Sequence, residues 1–391
     1  METATTLQER TAPERGGRLD YVDIAKGFMI LAVVLSHAWF ADSDILGQYL
    51  PFSMPVFFFL SGYTYKPGRG YGRNLWKRVL GLLVPYFLFS SVWNFFLPVY
   101  SGLVRQISPF AFVPTKASLW IAVLKADALN MSMCTPMWFL VALFTASILF
   151  FLVADKTRDS LLWTAVSAVV LLCATLGIEL LKRAKGIDPM VNGSLPWFVD
   201  LAPYDAALML LGAWCGTKRV FEKLNAKNIV IGLVLLAASE ALNQLFWGSA
   251  RTSVVQYIEG GAWYGVLTAF VIAVAGCIGT LCVARLLQNV PVLRQVFSWL
   301  GRNSLWILCI HYCFIMLVEL WLYTKGMLSN SLLDVVSFQL YGFGHVVDTP
   351  KDIVIKIAVA LLSIGVSAIY AVIHKAVKRR IKAARAAKAE G

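Results

Sequence analysis

Lys26 and His37 stand eleven residues apart in an otherwise apolar stretch, LDYVDIAKGFMILAVVLSHAW. At 100° per residue the interval is about 20° past three whole turns, so both side chains share one stripe of a helix, roughly 16–17 Å apart. Asp23, three residues before Lys26, falls on the same side. A cation at one end of a stripe and an imidazole at the other are the raw materials of anion binding and proton transfer. In lipid, each ionisable group costs a few kcal/mol unless it faces protein or water, so such groups are read first as functional. Lys26 also admits a second reading, in which its long side chain snorkels to the interface. His37 has no such outlet.

Other residues invite the same question. Glu240 and Glu319 lie well inside apolar segments and need interior partners, which makes them candidates to line one cavity with the first helix. The late stretch SWLGRNSLWILCIH ends in a second intramembrane histidine, His311, for which catalysis and a plain inter-helix hydrogen bond are both open. In MPVFFFLSGYTY, Gly62 permits close backbone approach and Ser61 can bond the helix or a ligand, so packing and chemistry compete there. The basic run Lys66, Arg69, Arg73, Lys77 and Arg78 follows; topology explains its sign, and its density beside Lys26 also suits a polyanion arriving from the cytoplasm. The segment 182–205 mixes Trp197, Phe198, Asp200, Tyr204 and Asp205, a composition that fits either a sugar or an interfacial aromatic belt. Cys309, His311 and Cys313 are spaced two apart and point in different directions on a helix, so no metal site is expected. The other cysteines, except Cys134, sit in apolar runs and behave as small hydrophobes.

These residues need a scaffold, and the composition says which. With 391 residues, 59% of them hydrophobic and only 15% charged, the chain is a polytopic membrane protein rather than a set of soluble domains. The net charge of +13 therefore does not point to nucleic acid, because basic residues have a topological use. The first apolar run lacks a small-residue cleavage pattern and reads as a retained helix. Ten spans are expected, near 24–41, 50–64, 79–98, 137–154, 160–181, 203–217, 229–247, 262–286, 303–324 and 353–374. The segment 118–131 is too short and polar to span and reads as interfacial or re-entrant. With the amino terminus inside, the cytoplasmic segments hold 25 of the 35 basic residues, which puts both termini in the cytoplasm. The expected organisation is a disordered segment 1–18, one membrane domain 19–374 and a basic tail 375–391 against anionic lipid. The fold class is an all-α membrane bundle of about ten transmembrane helices.

Four segments, taken in order, resemble the membrane acyltransferase-3 family, in particular its fucose 4-O-acetylase-like branch. They are RLDYVDIAKGFMILAVVLSH with Lys26 and His37; MPVFFFLSGY with the later RVLGLLVPY; PMWFLVALF with Trp138-Phe139-Leu140; and LGRNSLWILCIH. Many members carry arginine where this chain has Lys26, so a point charge replaces a bidentate fork. Some members carry a soluble esterase-like domain after the membrane part, where this chain has a short basic tail. The resemblance implies transfer of an acyl group, usually acetyl from acetyl-CoA, onto a carbohydrate hydroxyl, with no metal. It makes His37 the general base, with a covalent acetyl-histidine route also open, Asp23 or another buried carboxylate the group that orients the site, and Lys26, Arg73, Lys77 and Arg78 the cradle for the CoA phosphates. Ser61 would help to hold the donor, with backbone groups near it stabilising the oxyanion. Trp138, Glu240, His311 and Glu319 are candidates for the acceptor side. The expected partners are an acyl-CoA donor, a carbohydrate or glycolipid acceptor of the cell envelope and the bilayer.

Two functions of different class fit this sequence. One is an integral membrane O-acetyltransferase in the plasma or inner membrane. The other is a transporter of a glycan or acyl donor, since ten helices with interior charges suit that task too. No inverted repeat and no pair of Gly/Pro-broken helices is visible, which weighs against transport.

Overall fold

In a computed structural model, the described residues are 19–38, 52–108, 113–127, 131–187, 194–222, 224, 226–247, 263–330 and 348–390. They form an all-α polytopic bundle. The expected disordered segment 1–18 and the loop holding Asp42 and Asp44 lie outside the described residues. Among those described are α1 (Asp20–Ser36), α2 (Ser53–Tyr63), α3 (Tyr71–Phe95), α4 (Leu97–Ile107) and α5 (Lys116–Lys125). There follow α6 (Trp138–Thr157), α7 (Leu161–Ala184), α8 (Ala202–Thr217), α9 (Ala226–Trp247), α10 (Trp263–Leu287), α11 (Pro291–Arg302), α12 (Ser304–Thr324) and α13 (Pro350–Glu390). Each of the ten expected spans has its helix. Among the described residues, seven helical stretches are long and apolar enough to cross a bilayer, and α1, α2 and α9 are not among them.

The first two helices are held by glycines at crossings where backbones touch. A Cβ on Gly27 of α1 would run into the Phe297 carbonyl of α11, and one on Gly301 would strike the Asp23 carbonyl. The α2–α8 crossing repeats the device: Gly62 meets the Met209 backbone, while Gly212 and Gly216 meet the carbonyls of Phe59 and Tyr63. Without a hydrophobic driving force between helices in lipid, close backbone approach of this kind is a principal source of attraction. It also explains how α2 can be only 11 residues long: its Val56, Phe58, Phe59 and Leu60 are all buried in protein.

α3 begins eight residues before the expected span and contains one widened π-helical turn, Val79–Leu83. Its cause is Pro85, which has no N–H to give to the preceding turn; the extra residue takes up the mismatch. The chain then breaks at Phe96, ahead of Pro98, and turns into α4. Neither α4 nor α11 was expected. Both lie in stretches where polar residues interrupt the apolar run, and α11 shows exposed Val292 and Val296 on one side while Leu300 is buried. The expected interfacial segment 118–131 is α5. Thr115 caps it by accepting from the Ser118 N–H, and it ends at Ala126 in the left-handed region. It lies over α3, where the Tyr86 hydroxyl donates to the Val123 carbonyl at 2.6 Å. The basic tail continues α13 without a break, giving a helix of 41 residues, roughly 61 Å long and about twice a bilayer's hydrocarbon thickness.

Candidate active site

α1, α2, α3, α6 and α12 enclose a cavity of about 180 Å³. Its wall is mostly apolar, with Ile30, Met54, Phe57, Leu82, Phe139, Leu140, Leu143, Leu305 and Leu308. Five polar side chains interrupt it: Lys26, Ser61, Thr64, Arg78 and Ser304. Lys26, Ser61 and Arg78, three residues singled out in the sequence, therefore share one chamber although 52 positions of chain separate the first from the last. Arg78 Nη2 donates to the Ser61 hydroxyl, and the guanidinium lies 5.8 Å from the Phe151 ring centre. Arg73 and Lys77 are exposed on the first turns of α3 and do not line the cavity. Ser61 and Gly62 divide the two readings between them: Ser61 faces the chamber, and its neighbour makes the α8 crossing.

The far end of α1 carries the second element. His37 is the C-cap of α1 and sits one residue past its last helical turn. Its Nδ1 is 2.7 Å from the Val33 carbonyl and 3.3 Å from His311 Nε2. His311 lies within α12, fully buried, with Nδ1 2.8 Å from the Ile307 carbonyl and 3.1 Å from that of Leu308. The Tyr312 ring meets His37 edge-on at 5.1 Å between centres. His37 and His311 thus form one pair. Leu308, on the cavity wall, is three residues before His311, so the chamber ends about one helical turn short of the pair.

The other sequence candidates fall elsewhere. Asp23 is buried against α11, fourteen residues and about 21 Å along α1 from His37. Asp23, expected to help orient the site, is thus not at His37, and the ionisable side chain that meets the imidazole is His311. Glu319 is buried on α12 about two turns beyond His311, beside the ion pair of Lys356 and Asp348, whose Nζ–Oδ1 distance is 2.8 Å. Glu240 belongs to α9, which packs chiefly on α10. Neither glutamate lines the cavity. Trp138 stacks at a tilt on Phe198, 5.0 Å between centres, while its neighbours Phe139 and Leu140 form cavity wall. In the segment 182–205, Asp200 is fully buried on Lys182, and Trp197 donates to the Leu124 carbonyl, so both are engaged within the protein.

Sequence reasoning missed Thr64, Ser304 and Tyr312. Ser304 lies inside the quoted LGRNSLW segment and Tyr312 adjoins His311, so proximity to a motif was the available signal. Thr64 had none.

Residues 19–372 match the acyltransferase domain family, nearly the whole chain, and the protein belongs to that family. Comparison with curated proteins and with solved structures gave no match. Family membership supports a membrane acyltransferase over a transporter.

Proposed function

We propose that this protein is an O-acetyltransferase that takes acetyl from acetyl-CoA and places it on a hydroxyl of a cell-envelope carbohydrate or its lipid-linked precursor, as in the fucose 4-O-acetylase-like branch. The observation that carries this reading is the narrow chamber, cationic at Lys26 and Arg78, that runs along α1 and α12 toward the histidine pair. An extended thiol ester with a phosphorylated head fits such a chamber. The head rests at the cationic end, with the exposed Arg73 and Lys77 outside it, and the apolar wall takes the arm. The interval from Lys26 to His37, roughly 16–17 Å, matches the length the arm must cover.

A sugar hydroxyl is a poor nucleophile at neutral pH, and His37 takes its proton as the oxygen attacks the thioester carbonyl. The tetrahedral intermediate collapses with cleavage of the C–S bond, and the proton on His37 passes to the departing CoA thiolate. The acetyl ester forms and the imidazole returns to its starting state. In this reading the protein resides in the plasma or inner membrane with both termini in the cytoplasm, so that the cationic end faces the acetyl-CoA pool.

Purified protein, labelled acetyl-CoA and candidate envelope glycans test the reading. Label is expected on the glycan, and His37→Ala lowers transfer by about 10²- to 10⁴-fold while the protein stays folded. Undiminished transfer in that variant removes His37 from the reaction. Movement of glycan across the membrane without transfer of label favours transport.

A further inference from the structure

We propose that His311 is a positioning residue that holds His37 with its Nδ1 protonated, so that the reacting base is His37 Nε2; the catalytic half of this statement rests on the acyl-transfer reading above. Carbonyl oxygens only accept hydrogen bonds. His311 Nδ1 faces two of them, Ile307 at 2.8 Å and Leu308 at 3.1 Å, and so carries a proton. A neutral His311 then presents a lone pair at Nε2. That lone pair points at His37 Nδ1 from 3.3 Å, while the Val33 carbonyl points at the same atom from 2.7 Å. If His37 carried its proton on Nε2, three lone pairs would converge at Nδ1 with no hydrogen between them. A proton on Nδ1 satisfies both neighbours at once as a three-centre bond. His37 therefore keeps Nδ1–H in both of its protonation states, and only Nε2 gains and loses a proton.

The Tyr312 ring closes a third side and fixes the plane of the imidazole. When Nε2 takes the hydroxyl proton, the positive charge that develops on His37 is shared through Nδ1–H with His311 and the Val33 carbonyl. A carboxylate could do the same work in water. Inside a bilayer it would bring a permanent charge that must itself be compensated, whereas a neutral imidazole supplies the acceptor without one. The groups in contact with the pair fit this account: the Tyr312 ring from α12 and the Val33 carbonyl from α1.

Solid-state NMR of ¹⁵N-histidine-labelled wild-type protein in nanodiscs reads the tautomer directly, with His37 assigned by its loss in His37→Ala. The expected signature is a protonated Nδ1 and an unprotonated Nε2; the reverse pattern overturns the proposal whatever reaction the protein performs. The kinetic arm uses His311→Leu and His311→Gln, the second of which restores an acceptor near the position of Nε2. Leucine is expected to lower kcat roughly 10- to 100-fold with the KM for acetyl-CoA unchanged, and to shift the rising limb of the pH–rate profile to lower pH, because the imidazolium loses an acceptor. Glutamine recovers most of the rate and moves the limb back. A limb that stays in place in both variants, or a leucine variant as fast as wild type, overturns the positioning role. Should His311→Leu fold poorly, the tautomer and the glutamine variant still decide. Acyl transfer itself is judged by His37→Ala, so a failed tautomer test leaves that reading standing and a failed transfer test leaves the tautomer standing.

Discussion

Two regions of this bundle bury cations, and they treat them in opposite ways. Near the His37 end, Lys182 of α7 is 2.9 Å from Glu179 and 2.7 Å from Asp200, and Lys356 of α13 is 2.8 Å from Asp348. These ammonium groups are taken up by the protein itself. At the opposite end Arg78 hydrogen-bonds a serine hydroxyl and lies near a phenylalanine ring, and among the described residues no carboxylate pairs with it. Arg78 also faces a chamber. A buried charge that is internally paired ties helices together, whereas one aimed into a cavity without a counter-ion is arranged for an anion that arrives from outside.

The largest expected effect breaks the first region. Lys182→Met leaves Glu179 and Asp200, at 3% and 0% exposure, without their cation. Removing one member of a buried pair costs about 3–5 kcal/mol, to be seen as a lower midpoint of thermal unfolding in detergent. On the proposed acetyl-transfer reading, the fraction that remains folded should bind acetyl-CoA normally. Arg78→Met sharpens the contrast from the other side. It strands no carboxylate, so stability should change little, but the KM for acetyl-CoA should rise roughly 10- to 100-fold, the worth of a hydrogen bond to a charged group. If Arg78→Met were the variant that unfolds while Lys182→Met raised the KM, the assignment of the two regions would be reversed.

The same contrast shows what could be read in the chain before its fold. The helical class and the sites of all ten expected spans follow from apolar run length, because an α-helix is one of the few structures that satisfies its backbone in lipid. The placing of Lys26 and His37 at the two ends of α1 was legible because both lie on one helix, where spacing fixes direction. Lys182 and Lys356 were legible only as exceptions: they sit among the ten basic residues on the side where few are expected. Their burial in ion pairs explains why they do not behave as loop charges. The partnership of His37 with His311 spans 274 positions, and the Arg78–Ser61 bond depends on the α2–α8 crossing and the turn before Pro85. Nothing in local spacing specifies such contacts. Asp23, expected to help orient the site, lies at the opposite end of α1 from the imidazole and packs against Gly301 of α11, a contact that local spacing does not specify.

The smallest effect concerns Ser61 and tests how finely the second region is built. The hydroxyl accepts from Arg78 Nη2, and both groups line the chamber. Its work in this account is to aim the guanidinium, since a long side chain facing an open space otherwise loses its fixed direction. Ser61→Ala removes the acceptor but leaves the charge, so the loss should be that of one hydrogen bond of about 0.5–1.5 kcal/mol, a rise of roughly 2- to 10-fold in the KM for acetyl-CoA. Ser61 is half-buried and its neighbour Gly62 makes the helix crossing, so unfolding should be unaffected. In the Arg78→Met background the serine has no guanidinium left to aim, and Ser61→Ala should then add almost nothing. Two effects that simply add would mean that Ser61 touches the donor on its own account, and the cationic end would have two independent holds on acetyl-CoA instead of one.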